Sequence, residues 1–299
     1  MSGYANYQEL ARWDFPEEEF RLHRKAIPGF LVAKPHSLSS HDAQDYTSHG
    51  ARNRTRLPQN SHSGSFPMTR HSLVLAAQSN DPAIRSRAIE AITAAYWRPI
   101  YKYVRRKWNI TPEDAADFTQ EFFTRLLEKE FLDSYDSSKG RLRTFLRTCA
   151  DRLFMNQARD AKRLKRGVGS AHMSIDFLET EQELASELRS GSPEDSFDRE
   201  WVRSIFGLGL ARLQARCESG GKLIHFELFE RYDLEDADPR PSYAQLATEF
   251  GLATTDVTNY LAFARREFRR CVLDLLREMT TSEEEFRREA QALLGVLVR

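Results

Sequence analysis

The stretch KGRLRTFLRTCADRLFMNQARDAKR, residues 139–163, decides the fold class. Leu142, Phe145, Leu146, Cys149 and Leu153 stand at i, i+3, i+4, i+7 and i+11, an apolar stripe of helical period. The spacing predicts a helix over 141–163 that turns one face to a core. Its remaining surface is polar and largely basic. Arg152, Asn156, Arg159 and Arg163 fall at i, i+4, i+7 and i+11 and form one ridge. Arg143 and Arg147 make a neighbouring pair with Thr144 and Thr148 between them, and Lys139 and Arg141 stand just ahead. Arginines neutralise phosphates, while Asn and Thr side chains can read base edges. Phe154 and Trp108 are aromatics that could stack on unpaired bases, although core packing is the plainer reading of each.

Moving outward, charge is segregated along the chain. The formal net charge is 0. From Ser137 to Ser170, however, ten basic residues face two acids, and from Ala171 to Glu200 nine acids face two arginines. A neutral sum therefore hides a basic block joined to an acidic one, which points to a polyanion partner for the first. A merely solvated basic helix face is the alternative that charge alone leaves open.

Upstream of the basic helix lies Asp114–Glu128, DAADFTQEFFTRLLE. Asp117, Gln120, Glu121 and Thr124 share one face, opposite the phenylalanines. That face suits docking to a partner helix, with an ordinary amphipathic helix as the alternative. Thr111 followed by Pro112-Glu113-Asp114 gives this helix its start, and Asp81-Pro82 starts an earlier one with Ile84, Ala88, Ile92, Ala95 and Tyr96 at helical spacing. Residues 1–67 hold five of the eleven prolines and five of the eight histidines and show little apolar period, so they are expected to be a disordered polar tail.

Downstream, Gly191 and Pro193 mark the end of an acidic linker over 169–198. A second helical unit is expected over 199–280, with its first helix beginning near Phe197 or Trp201. Within it, Ser242 with Gln245 forms a capping-box pair, Gly251 ends a short helix, and Thr254 or Thr255 caps a longer one. Short helix, glycine turn and capped second helix are the helix-turn-helix pattern. Thr254, Thr255, Asp256, Thr258 and Asn259 open the second helix with short polar groups, and Arg265 and Arg266 come after them as cations. Residues 281–299 add an amphipathic helix with Phe286, Ala290, Leu293 and Leu297 on one side. The whole reads as an all-α chain of two helical domains joined by a flexible acidic linker.

These segments together resemble the extracytoplasmic-function sigma factors of bacterial RNA polymerase, over roughly Thr69 to Glu278. Asp114 to Leu126 is similar to that family's polymerase-clamp-binding helix. Lys139 to Thr148 is similar to its segment that melts and reads the minus-ten element, and Tyr243 to Tyr260 to its minus-thirty-five reader. Ser72–Ala77, Tyr96–Arg106 and Thr119–Lys129 resemble one subgroup whose members often begin near Ser72, which makes Met68 a second expected start. Where members carry Asn and Asp four apart in the minus-ten helix, this chain has Arg152 and Asn156.

The resemblance implies region two over 68–168 and region four over 199–280. It implies core-polymerase contacts through Asp114, Asp117, Gln120, Glu121, Phe123 and Arg125, a face for the β′ clamp, with the β flap as a further expected partner. Minus-ten DNA would meet Lys139, Arg141, Arg143, Thr144, Arg147 and Thr148, then Arg152, Asn156, Arg159 and Arg163. The minus-thirty-five element would meet Thr254, Thr255, Asp256, Thr258, Asn259, Arg265 and Arg266. An anti-sigma factor or another regulator is a further expected partner.

Enzyme chemistry is not expected: no phosphate-binding glycine loop, His-Glu metal motif or nucleophile triad occurs, and no cofactor is implied. Cys149, Cys217 and Cys271 are far apart and odd in number, which fits reduced thiols in a cytoplasmic protein. No apolar run is long enough for a membrane span. A stand-alone helix-turn-helix regulator and a helical protein-binding scaffold stay open as alternatives.

Overall fold

The computed structural model describes residues 72–128, 131–161, 177, 180–181, 184, 191–235 and 237–294. The expectations for residues 1–67, for Arg163 and for most of the acidic linker fall outside them. Among the described residues the fold is all helical, in nine α-helices: α1 (Leu73–Ala77), α2 (Pro82–Trp108), α3 (Pro112–Leu127), α4 (Leu142–Ala161), α5 (Pro193–Ser219), α6 (Leu223–Phe229), α7 (Tyr243–Phe250), α8 (Thr254–Glu278) and α9 (Glu283–Leu294).

Helix starts obey local chemistry. The Asp81 carboxylate accepts from the Ala83 and Ile84 amides, and Pro82 occupies the first helical position of α2, where a missing N–H costs nothing. Thr111 caps α3 in the same way, accepting from the Asp114 amide at 3.1 Å. Ser192 and Asp195 form a reciprocal capping box on α5, so this helix begins at Pro193, ahead of the Phe197 or Trp201 expected from periodicity. Both α2 and α5 are 27 residues long, longer than the helix expected over 141–163. Ile84, part of the apolar stripe of α2 by its spacing, is exposed, as are Pro82 and Ala83 beside it in the first turn.

The first unit is α2 packed against α1, α3 and α4. Tyr96, Ile100 and Val104 of α2, Phe118 and Phe122 of α3, and Leu142, Leu146 and Leu153 of α4 lie in its core. Burying each such side chain contributes about 1.5–3 kcal/mol. The second unit is α6 and α7 against α8. Helix α5 belongs to both. Its first half lies on α2 and its second half on α8.

The two halves of α5 are held differently. Toward α2, Phe197 meets Tyr103 edge-on, and buried Glu200 accepts from Lys102 Nζ at 2.8 Å and Arg98 Nε at 3.1 Å. Such a buried pair adds little net stability but is costly to leave half-made, so the register of the helices is tied to it. Toward α8, the approach is steric. A Cβ on Gly209 would stand 2.9 Å from Val272 Cγ2, so only glycine lets the two backbones come this close.

Part of the acidic stretch is also docked. Phe177 packs against Trp97 and Tyr101, and Glu181 accepts from the Tyr101 hydroxyl at 2.7 Å and pairs with Arg105. The Arg105 guanidinium holds the Glu181 carboxyl below the usual glutamate range. All three cysteines are buried and unpaired, and burial pushes the Cys149 and Cys271 thiols up to about 11. They are inert core groups. No described helix is long and apolar enough to cross a membrane.

Candidate nucleic-acid interface

Helix α4 presents the largest share of the expected site. Its stripe of Leu142, Leu146, Cys149 and Leu153 is buried, with Phe145 at the margin. The outer face then carries Thr144, Thr148, Arg152, Asn156 and Arg159, all exposed. Thr148 donates its hydroxyl hydrogen to the Thr144 carbonyl at 2.9 Å, which leaves the oxygen turned outward as an acceptor. Asp151 is drawn to the other side, where it accepts from Tyr103 and from Lys107 at 3.0 Å.

The N-terminal end of α4 is arranged otherwise. Helical spacing places Arg143 on the exposed surface, yet it is only 8 % exposed. Its guanidinium lies 4.6 Å over the Trp201 ring and reaches Glu289 at 3.4 Å and Asp198 at 3.7 Å. Arg141 also lies 3.4 Å from Glu289. Arg147 is half-buried over the Phe197 ring. Lys139 stays exposed, 3.4 Å from Asp136. Periodicity could not foresee this, because α5 and α9 cover a face that a lone helix would show to water.

On α3, Asp114 and Asp117 are exposed and Gln120 is partly so. Glu121 turns sideways instead. It pairs with Arg125 one turn on, and its other oxygen accepts from Gln157 of α4 at 2.7 Å. Phe123, expected at the docking face, is completely buried and meets Phe122 edge-on. The helix is wedged between α2 and α4, so both adjacent rings are absorbed. Trp108 and Phe154 stack on one another at 3.8 Å with parallel rings, beside Phe118. One face of each ring is engaged within the protein.

In the second unit, Ser242 and Gln245 form the expected capping box, and Gly251 adopts the left-handed conformation at φ 66°. The Leu252 amide closes back on the Ala247 carbonyl at 2.8 Å. That closure sets the register of the next helix: Ala253, not Thr254 or Thr255, is the N-cap of α8, and no side chain caps it. Thr254, Thr255, Thr258, Asn259 and Arg266 are exposed, with Asp256 partly so. Arg265 is claimed by buried Asp233, through Nε at 2.8 Å and a second nitrogen at 2.9 Å. Asp233 also accepts from Arg240 at 2.8 Å. The segment that follows α6 therefore holds a buried anchor at Asp233.

Residues 92–164, from the middle of α2 through all of α4, match the family model of sigma-70 region 2. That match supports a member of the sigma factor family and implies a part in promoter recognition by RNA polymerase. Searches of curated proteins and of solved structures found no match to the chain. The region 2 domain contains the exposed ridge of α4 and the acidic face of α3, the two surfaces that the sequence pattern joins. Not legible in that pattern were Glu289 and Asp233, the acids that take up Arg141, Arg143 and Arg265, and Glu285, which accepts from the Tyr135 hydroxyl. One signal was present: Glu285 and Glu289 adjoin the apolar stripe of Phe286, Ala290 and Leu293, where a carboxylate needs a buried partner. Among the described residues no group of His, Cys, Asp and Glu could hold a metal ion.

Proposed function

We propose that this chain is a sigma factor of the extracytoplasmic-function type, directing core RNA polymerase to promoters and assisting their opening. The observation that carries this reading is the pairing of two surfaces on one helical unit. Exposed Asp114 and Asp117 lie on α3, and an exposed ridge of Thr144, Thr148, Arg152, Asn156 and Arg159 lies on the adjoining α4, inside the region 2 match. The acidic face would meet basic residues of the β′ clamp, an electrostatic fit that sets register and on-rate. The ridge would take the non-template strand of the minus-ten element. Opening duplex costs about 1.4 kcal/mol per stacked step. Phosphate contacts and groups that read unpaired bases offset that cost.

In the second unit, the turn at Gly251 delivers Thr254, Thr255, Thr258 and Asn259 at the start of α8, with Arg266 further along. This order suits a helix whose N-terminus enters a major groove at an upstream element. No covalent step is assigned to the chain.

Run-off transcription with purified core polymerase and genomic DNA tests the reading. Discrete transcripts that depend on this chain are expected. Duplex binding without any effect on polymerase would favour a stand-alone regulator, and absence of salt-dependent DNA affinity would favour a protein-binding scaffold. Asp117→Arg places a cation where basic clamp residues are expected. Such like-charge contacts cost several kcal/mol, so core binding should fall by roughly 100-fold or more with the circular dichroism spectrum unchanged. Wild-type core affinity in that variant would remove the docking face.

A further inference from the structure

Helix α9 has no part in the proposed function, yet its buried acids sit on the N-terminal end of α4. Glu285 accepts from the Tyr135 hydroxyl at 2.6 Å and from the Leu142 amide at 3.4 Å, the second being a free N–H of the first turn of α4. Its other oxygen takes the Thr281 amide at 2.9 Å. Glu289, 4 % exposed, lies 3.4 Å from both Arg141 and Arg143. Two carboxylates thus occupy the place where a helix N-terminus and two guanidiniums would hold an anion.

The fit of Glu289 is loose. Its Oε2 is buried and makes no hydrogen bond, so the arginines attract it at ion-pair distance without satisfying it. Burial accordingly pushes the Glu289 carboxyl above the ordinary glutamate range in spite of two cations beside it. A contact so poorly satisfied is one that a better-matched anion can displace.

We propose that α9 is an acidic strap: in the free chain Glu285 and Glu289 stand in for nucleic-acid phosphates at the N-terminal end of α4, and α9 leaves when a strand takes Arg141 and Arg143. The proposal rests on the reading of α4 as a nucleic-acid-binding helix. Release would free Arg141 and the helix N-terminus and leave Arg143 answering only to Asp198 and the Trp201 ring. The chain would bind nucleic acid weakly until some further interaction frees the strap.

The test uses the full chain with Glu285→Gln and Glu289→Gln together, which keep side-chain size and remove both charges. Affinity for a labelled single-stranded oligothymidylate is expected to rise roughly tenfold, and the plot of log affinity against log salt to steepen by roughly 1.4, the value for two further phosphate contacts on a single strand. Amide exchange over residues 283–294 should quicken, with residues 254–278 unchanged. Faster exchange without a gain in affinity, or no change in exchange, overturns the strap and leaves the reading of α4 standing. Binding by neither chain overturns the reading of α4 itself. Should the double variant not fold by circular dichroism, Tyr135→Phe removes the 2.6 Å bond to Glu285 together with the 3.2 Å bond to the Gly140 carbonyl and keeps the ring. It should raise affinity roughly two- to threefold, and wild-type affinity there counts against the strap.

Discussion

Helices α4 and α8 are built alike and used differently along their lengths. Each buries one apolar stripe and carries arginines on the rest. On α4, Arg152 and Arg159 stand in solvent while Arg143 is held by Glu289, Asp198 and the Trp201 ring. On α8, Arg266 stands in solvent while its neighbour Arg265 is held by Asp233. In both cases the captured arginine lies where a second element crosses the helix: α9 and α5 over α4, the turn after α6 over α8. An arginine outside the apolar stripe is therefore not thereby a nucleic-acid contact. Arginine has the reach and donor count to serve as an internal strut, and a buried carboxylate decides which role it takes.

The comparison breaks most visibly in stability. Arg143→Ala leaves Glu289 buried with only Arg141 in reach, and should cost about 2–3 kcal/mol, somewhat under the range for a fully orphaned buried charge. Arg265→Ala leaves Asp233 with Arg240 alone and should cost about 2 kcal/mol on the same ground. Urea denaturation reads both, and a loss under about 0.5 kcal/mol in either would place that arginine with ordinary surface residues.

The exposed partners sharpen the contrast through binding. Arg152→Ala and Arg266→Ala should each leave stability within about 0.5 kcal/mol. Each should lower the salt slope of DNA binding by about one. Arg152→Ala is read on a single strand and Arg266→Ala on duplex. An unchanged slope removes that residue from its interface.

A smaller effect concerns Glu181, the acid that ties the linker stretch to α2. Its folded-state pKa lies below the unfolded value, because of Arg105 and Tyr101. Between those two values the unfolded chain holds a proton that the folded chain does not, so stability rises with pH there. The contribution is complete above the ordinary glutamate range and is lost as pH falls through the lowered value. Glu181→Gln should flatten the dependence of the urea midpoint on pH from the ordinary glutamate range downward, and an undiminished slope would assign it to other carboxylates.

Sequence by itself determined the helical class, the starts of α2, α3 and α7, and the outward set on α4. Those features are local: a capping side chain bonds two or three residues away, and a helical stripe repeats every turn. It also placed the acidic face of α3 and the basic ridge of α4 in neighbouring helices, which the region 2 match joins in one domain. Only the tertiary structure decided that Phe123 is core, that α5 serves both units, and that Arg141, Arg143 and Arg265 answer to Glu289 and Asp233. Those partners stand 32 or more residues apart in the chain, and whether they meet depends on how helices cross. Periodicity fixes the face a residue occupies on its own helix, but packing alone determines whether that face meets water, a ring or a buried carboxylate.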